Sequence, residues 1–260
     1  MQEPVREPFA APVPVDTQRS IDEARAVLAE SLRSHRRISP RLLPREALGE
    51  RPEVWSARLS LLGALLAAPA AAALLLAAVR AGSWVHGASF AVYGIGMAAM
   101  FLASALFHRR AGHERTTLKN LDYCAIALMI AGTITPYCAI ALGTPFGYSA
   151  LAGVWLAALA AITLRLSRPE LPKWVFISLY LVMGWLGGLT VLPSAARLGW
   201  DGTALTLLGG VIYTLGTVAC NRNEDDVEPP GFGAHEVWHL CILAGAASHF
   251  LVIHSHLLPG

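Results

Sequence analysis

The stretch "HEVWHLCILAGAASHFLVIHSH", His235 to His256, decides how the chain is read. Its length and apolar content suit a helix in hydrocarbon, yet it carries five histidines. An imidazole in that setting must find water, a protein partner or a metal ion. His235 and His239 stand four residues apart, so a helix presents both rings on one face.

Working outward, comparable apolar runs recur along most of the chain. Seven are long enough to cross a hydrocarbon core of about 30 Å as helices: Leu59–Val79, Trp84–Phe107, Leu121–Leu142, Tyr148–Leu166, Trp174–Leu192, Trp200–Cys220 and Val237–Leu258. Hydrophobic residues make up 55% of the sequence and charged ones only 15%, outside the range of ordinary soluble domains. Trp84, Tyr148, Trp174 and Trp200 stand at run edges, where amphipathic rings favour the headgroup level. No strand-period alternation suggests a barrel. The expectation is an all-α membrane protein, a seven-transmembrane helix bundle over residues 51–260, preceded by a cytoplasmic tail over residues 1–50.

Charge placement gives the orientation. If the N-terminus is cytoplasmic, the tail and the loops after spans two, four and six lie inside. Those segments hold 18 of the 20 Lys and Arg residues, leaving Arg80 and Arg197 outside. The positive-inside rule then predicts N-terminus in and C-terminus out, in a multi-pass protein of the inner (cytoplasmic) membrane. In the tail, "EPVREPFAAPVPVD" is Pro-rich and predicts disorder, while "SIDEARAVLAESLRSHRR" has the cap and spacing of a surface helix. Cys124, Cys138, Cys220 and Cys241 show no paired metal spacing and read as core packers.

Alternating spans bring the end of span two and the starts of spans three and seven to one side. His108, Asp122, His235 and His239 therefore fall at one depth, with Ser104 one turn before His108. Each has a plainer account: an interfacial histidine, a first-turn acid, a solvated pair, and a serine bonded to its own backbone. Together, three histidines from two helices suit a catalytic zinc site with an open fourth position. Zinc lowers the pKa of bound water from 15.7 to about 7, and Asp122 and Ser104 are placed to orient that water or take its proton. His249 lies too far along the helix to share the ion and reads as a buried, hydrogen-bonded packer; His254 and His256 read as hydrated. Pro136 in "IAGTITPY" predicts a kink, with Thr133 or Thr135 available to the freed backbone.

The blocks "SALFH", "LDYCAIALMIAGTITPY" and "HEVWHLCILAGAASHF" resemble the three signature blocks of the hemolysin III family, bacterial relatives of the progestin and adiponectin receptors. The resemblance covers about residues 53 to 258. It implies a seven-helix bundle with an inward N-terminus and zinc held near the cytoplasmic face by His108, His235 and His239. Asp122 would then hold the metal's water, with Ser104 beside it. The family is also similar to alkaline ceramidases, which implies metal-assisted hydrolysis of a lipid amide. Two departures stand out: Glu53 is followed by Ser56 and Ser60 where relatives have Asn and His, which weakens any role for that first block, and the loop from His108 to Asp122 is shorter than in the animal receptors.

Two functions follow as expectations. One is a zinc-dependent hydrolase of a lipid amide or ester, with membrane lipid as substrate or ligand. The other is a receptor, sensor or pore-forming hemolysin in which zinc only ties span two to span seven. Haem is disfavoured by a histidine pair one turn apart. No phosphate loop, nucleophile elbow or nucleic-acid motif appears.

Overall fold

A computed structural model of the chain describes residues 53–110, 115–222 and 233–259, together with Glu23 and Ala26. The Pro-rich segment and most of the predicted surface helix lie outside the described residues. From residue 53 onward the described residues form seven helices and no strand. They are α1 Val54–Arg80, α2 Trp84–Arg109, α3 Arg115–Pro136, α4 Pro145–Ser167, α5 Lys173–Gly188, α6 Ala195–Arg222 and α7 Ala234–His256. Six of these, α3 being counted with the turn that follows it, are long and apolar enough to cross a membrane.

The exception is α5, and proline chemistry explains it. The sequence predicts a span from Trp174 to Leu192, but the helix stops at Gly188 after 16 residues. At 1.5 Å per residue that is about 24 Å, short of the hydrocarbon core. Pro193 has no amide hydrogen and disfavours helix in the residue before it. The chain unwinds into turns over residues 189–194, where the Thr190 and Ser194 hydroxyls donate to the Gly187 and Thr190 carbonyls at 2.6 and 2.7 Å.

Pro136 acts differently from expectation. The Thr133 and Thr135 hydroxyls donate to the carbonyls of Met129 and Ala131, both at 2.8 Å. Neither serves Gly132, whose carbonyl a helical amide at position 136 would have used. The backbone widens instead into a π-helical turn, Tyr137–Leu142, which ends at Gly143 in the left-handed conformation (φ 58°). Thr144 then caps α4 by accepting from the Gly147 amide at 3.2 Å. A second break falls at Gly199 (φ 68°), so the straight part of α6 begins at Trp200, where the apolar run begins.

The core follows from small residues. α1 packs on α2 and α7, α2 on α3, and α6 on α7. Phe90, Tyr93, Leu74 and Ile253 are fully enclosed. Gly96 lets α2 approach α3 closely, since a Cβ there would stand 2.9 Å from the Leu128 carbonyl oxygen and 3.3 Å from Met129 Cα. Outward-facing residues are apolar instead of charged: Leu65, Val79, Ile95 and Leu156 are each exposed by about two thirds or more. A soluble protein rarely presents such a surface, whereas lipid tails cover it without cost.

The helices alternate in direction. The Glu53 amide donates to the His108 carbonyl at 3.0 Å, which ties the start of α1 to the end of α2. At the opposite end, His256 of α7 meets Asp201 of α6 at 3.4 Å, so this histidine, read as merely hydrated, has an acidic partner. His254 is exposed.

Because backbone faces Gly96, the contact has no flexible side chain that could move aside. Gly96→Val is expected to destabilise the bundle by about 1–3 kcal/mol, seen as a lower melting temperature in detergent, while Gly153→Val, with open space around it, leaves it unchanged.

Candidate metal centre

His108 sits in the last turn of α2, and His235 and His239 occupy the first turns of α7. Alternating helix direction puts these turns side by side. One ring nitrogen from each histidine lies within 4.8 Å of the other two. The ring centroids form a nearly equilateral triangle with sides of 4.8, 4.9 and 5.1 Å. His108 and His239 are buried, and His235 is partly exposed.

The geometry suits an ion. His235 Nε2 and His239 Nε2 are 3.3 Å apart. Two nitrogens bound tetrahedrally at 2.0–2.1 Å stand about 3.3–3.4 Å apart. Fixing one ring nitrogen by a hydrogen bond decides which nitrogen offers its lone pair. Ser60 Oγ lies 3.3 Å from His239 Nδ1, so a proton there directs the Nε2 lone pair toward His235. Glu53 Oε2 is 2.5 Å from His108 Nδ1 and 3.5 Å from His235 Nε2, placing negative charge at the edge of the triad. Cys220 Sγ lies 3.7 Å from His235 Nδ1, a contact beyond core packing.

Asp122 and Ser104 flank this triad. Asp122, near the start of α3, is buried and lines one cavity with His108 and His235. Ser104, one turn before His108 on α2, is buried too, and its hydroxyl lies 3.0 Å from Ser60 Oγ. A polar chain therefore runs from Ser104 through Ser60 to His239, joining α2, α1 and α7.

The block before α1 is thus built into the site, although its departures from the expected pattern weakened any role for it. Ser56 and Ser60 are fully enclosed. The Ser56 hydroxyl donates to Glu236 Oε1 at 2.9 Å, and the other Glu236 oxygen accepts from the Gly233 amide at 2.8 Å. Glu236 therefore caps α7 and pins its first turn to α1. "HEVWH" has the H-E-x-x-H spacing in which the glutamate of a metalloprotease serves as general base. Here both carboxylate oxygens are committed to structure, which removes Glu236 from that role.

A cavity of 580 Å³ leads away from the triad between α3, α5, α6 and α7. Its walls are mainly aliphatic, including Met129, Ile130, Ile177, Leu181 and Ile242, and Lys119 and Lys173 line it where α3 and α5 begin. Its volume is within the range of sites that enclose a small organic ligand.

The model of the family described as "Haemolysin-III related" matches residues 51–250, which takes in α1 to α6, most of α7 and every residue of the triad. The chain belongs to this family. A "Hemolysin-3 homolog" of Bacillus subtilis (strain 168) is 33% identical over 196 residues, covering 74% of this chain and 88% of the relative. "Hemolysin-3" of Bacillus cereus is 31% identical over 199 residues, covering 76% and 88%. The human "Monocyte to macrophage differentiation factor" is 28% identical over 173 residues, covering 64% and 69%. Family membership and the apolar helices together make this a multi-pass membrane protein.

If Glu53 and Ser60 orient the imidazoles, their loss should loosen the ion without removing a ligand. Glu53→Gln and Ser60→Ala are each expected to weaken metal binding about 10–100-fold, read by competition with a chromophoric chelator, with helicity retained.

Proposed function

We propose that the protein is a metal-dependent hydrolase of a lipid amide or ester, with zinc held by His108, His235 and His239. The single observation that carries this is the convergence of three histidine nitrogens at the mouth of an apolar cavity, with a buried carboxylate beside them. Three imidazoles favour zinc over magnesium or calcium, and three protein ligands leave a position for substrate. When bound, the ion supplies Lewis acidity toward a carbonyl and toward water.

The chain's own residues do the rest. Asp122 takes the proton of the attacking water on its carboxylate, and the Ser104 hydroxyl holds that carboxylate in place. Glu53 offsets the charge of the cation. The cavity holds the acyl chain, and its aliphatic walls exclude bulk water from the reacting carbonyl.

Orientation follows from charge. The triad lies at the end of the bundle that carries Arg109, Arg110, Arg165, Arg168 and Lys173, while Arg80 and Arg197 mark the other end. The positive-inside rule puts the triad at the cytoplasmic face of the inner membrane, with the N-terminus inside and the C-terminus outside. The substrate is then a lipid of the inner leaflet.

A non-enzymatic membrane receptor or sensor is the second reading, favoured by the way the triad and the Ser56–Glu236 bond join α1, α2 and α7. One pair of variants separates the two. Protein purified without added metal should hold about one zinc per chain by mass spectrometry, and His239→Ala should lose it. Asp122→Asn should keep the zinc and the fold yet lower turnover of a lipid extract by about 100-fold or more. Full zinc with no turnover by the native protein across amide and ester lipids would leave only the structural role.

A further inference from the structure

The cavity has a second polar end that the hydrolytic centre does not use. His249 follows His239 by ten residues on one continuous helix, which sets it about 15 Å farther along the axis. It is nine-tenths buried and lines the same cavity as His108 and His235. Its Nδ1 is engaged, 3.2 Å from the Tyr137 hydroxyl, which in turn lies 3.4 Å from Thr206 Oγ1.

Its other nitrogen is not. Among the described residues, His249 Nε2 has no hydrogen-bond partner. The same holds for the hydroxyl of Tyr213, another cavity residue, whose ring stacks on the imidazole at 5.9 Å between centroids. Tyr93, outside the cavity lining, is fully buried with its hydroxyl unpartnered. His249 Nε2 and the Tyr213 hydroxyl both belong to residues of the cavity wall, and a polar group left unsatisfied against an apolar guest costs about 1–3 kcal/mol, so the pair points to a guest that bonds them. A packing histidine needs neither an open nitrogen nor an unpaired phenol stacked on it.

The chemistry narrows the guest. The cavity's lysines, Lys119 and Lys173, begin α3 and α5 and so belong to the triad end. No Lys or Arg lines the floor, so a carboxylate or phosphate there would lack a countercharge. A neutral hydroxyl can donate to an imidazole nitrogen and accept from a phenol. Along an extended alkyl chain, C–C bonds of 1.52 Å advance about 1.25 Å each, so about twelve bonds separate the two ends.

We propose that His249 and Tyr213 form a second recognition subsite for a neutral hydroxyl at the far end of a long-chain amphiphile whose polar head lies at the histidine triad. This rests on the cavity being a lipid chamber, as in the proposed function, but not on the hydrolytic step. The test uses the full chain in lipid nanodiscs, with displacement of a fluorescent dodecanoic acid by dodecanoic or 12-hydroxydodecanoic acid. Membrane partitioning of the two acids is common to every variant and cancels when the affinity ratio is compared with that of the native chain.

The native protein should favour the hydroxylated acid by about five- to tenfold relative to His249→Phe, as one net hydrogen bond provides. Tyr213→Phe, which keeps the stacked ring and loses only an oxygen, should shrink the ratio in the same direction. Metal content should be equal in all three proteins. Identical ratios in native and variant proteins would overturn the subsite and leave ordered water as the floor's only guest. Displacement by neither acid would overturn the lipid chamber and the subsite with it. Absent lipid hydrolysis with the preference intact would refute the enzyme and leave the subsite standing.

Discussion

The constraint on which the structure depends is the removal of several polar side chains from water at one level of an otherwise apolar bundle. His108, His239, Glu236 and Asp122 are all buried there, on three helices. Unpaired, each would cost enough to threaten a fold whose helices gain little from hydrophobic association in lipid. Three of them are paired with the segment that begins α1: His108 with Glu53, Glu236 with Ser56, and His239 with Ser60, which also meets Ser104. These bonds set the depth of each helix relative to its neighbours. Once depth is fixed, the three imidazoles face one point. A divalent cation there would lower the cost further by binding the His235 and His239 Nε2 atoms, which stand 3.3 Å apart.

Much of this was legible in the sequence because membrane helices obey a length rule and alternate in direction. Seven apolar runs place the end of the second and the start of the seventh at one level whatever the side chains between them, and the structure puts His108 beside His235 and His239 accordingly. What failed to show was decided by single groups whose partners are remote in sequence. Ser56 and Ser60 lie about 180 positions from Glu236 and His239, and no local pattern announces such pairs. Glu236 carried a visible signal in the H-E-x-x-H spacing, but spacing alone cannot tell a base from a cap. That distinction lies in where its two oxygens point. The end of the fifth helix was hidden for a related reason: its apolar run continues to Leu192, just before Pro193, although the helix stops at Gly188.

The short fifth helix bears on how the cavity exists at all. α5 contributes Ile177, Leu181, Gly184 and Gly188 to the wall, and its partners on either side touch it less than the α1–α2–α3 group touch one another. Tight packing through small residues joins α1, α2 and α3, where Gly96 brings two backbones together. On the α5 side the bundle is not closed so firmly, and the Trp185 indole donates to Thr214 Oγ1 of α6 at 3.1 Å as one polar link across that seam. Stability thus concentrates on one side of the bundle and the cavity on the other. Regions with fewer packed contacts open at lower free energy, so a hydrophobic guest meets the least resistance along α5.

The two ends of the cavity differ in what they ask of a guest. At the triad, carboxylates, lysines and imidazoles make an environment that tolerates charge and favours a metal ion. At the floor, an imidazole and phenols offer hydrogen bonds without countercharge. A molecule with an acyl chain between a carbonyl head and a neutral distal oxygen would satisfy both, whereas a plain hydrocarbon tail would leave the floor groups unbonded. The floor groups then act as a selector whose cost falls on the wrong guest, because burying His249 Nε2 and the Tyr213 hydroxyl against methylene groups forfeits their hydration and returns nothing. Selection by that route needs no contact with the reacting bond.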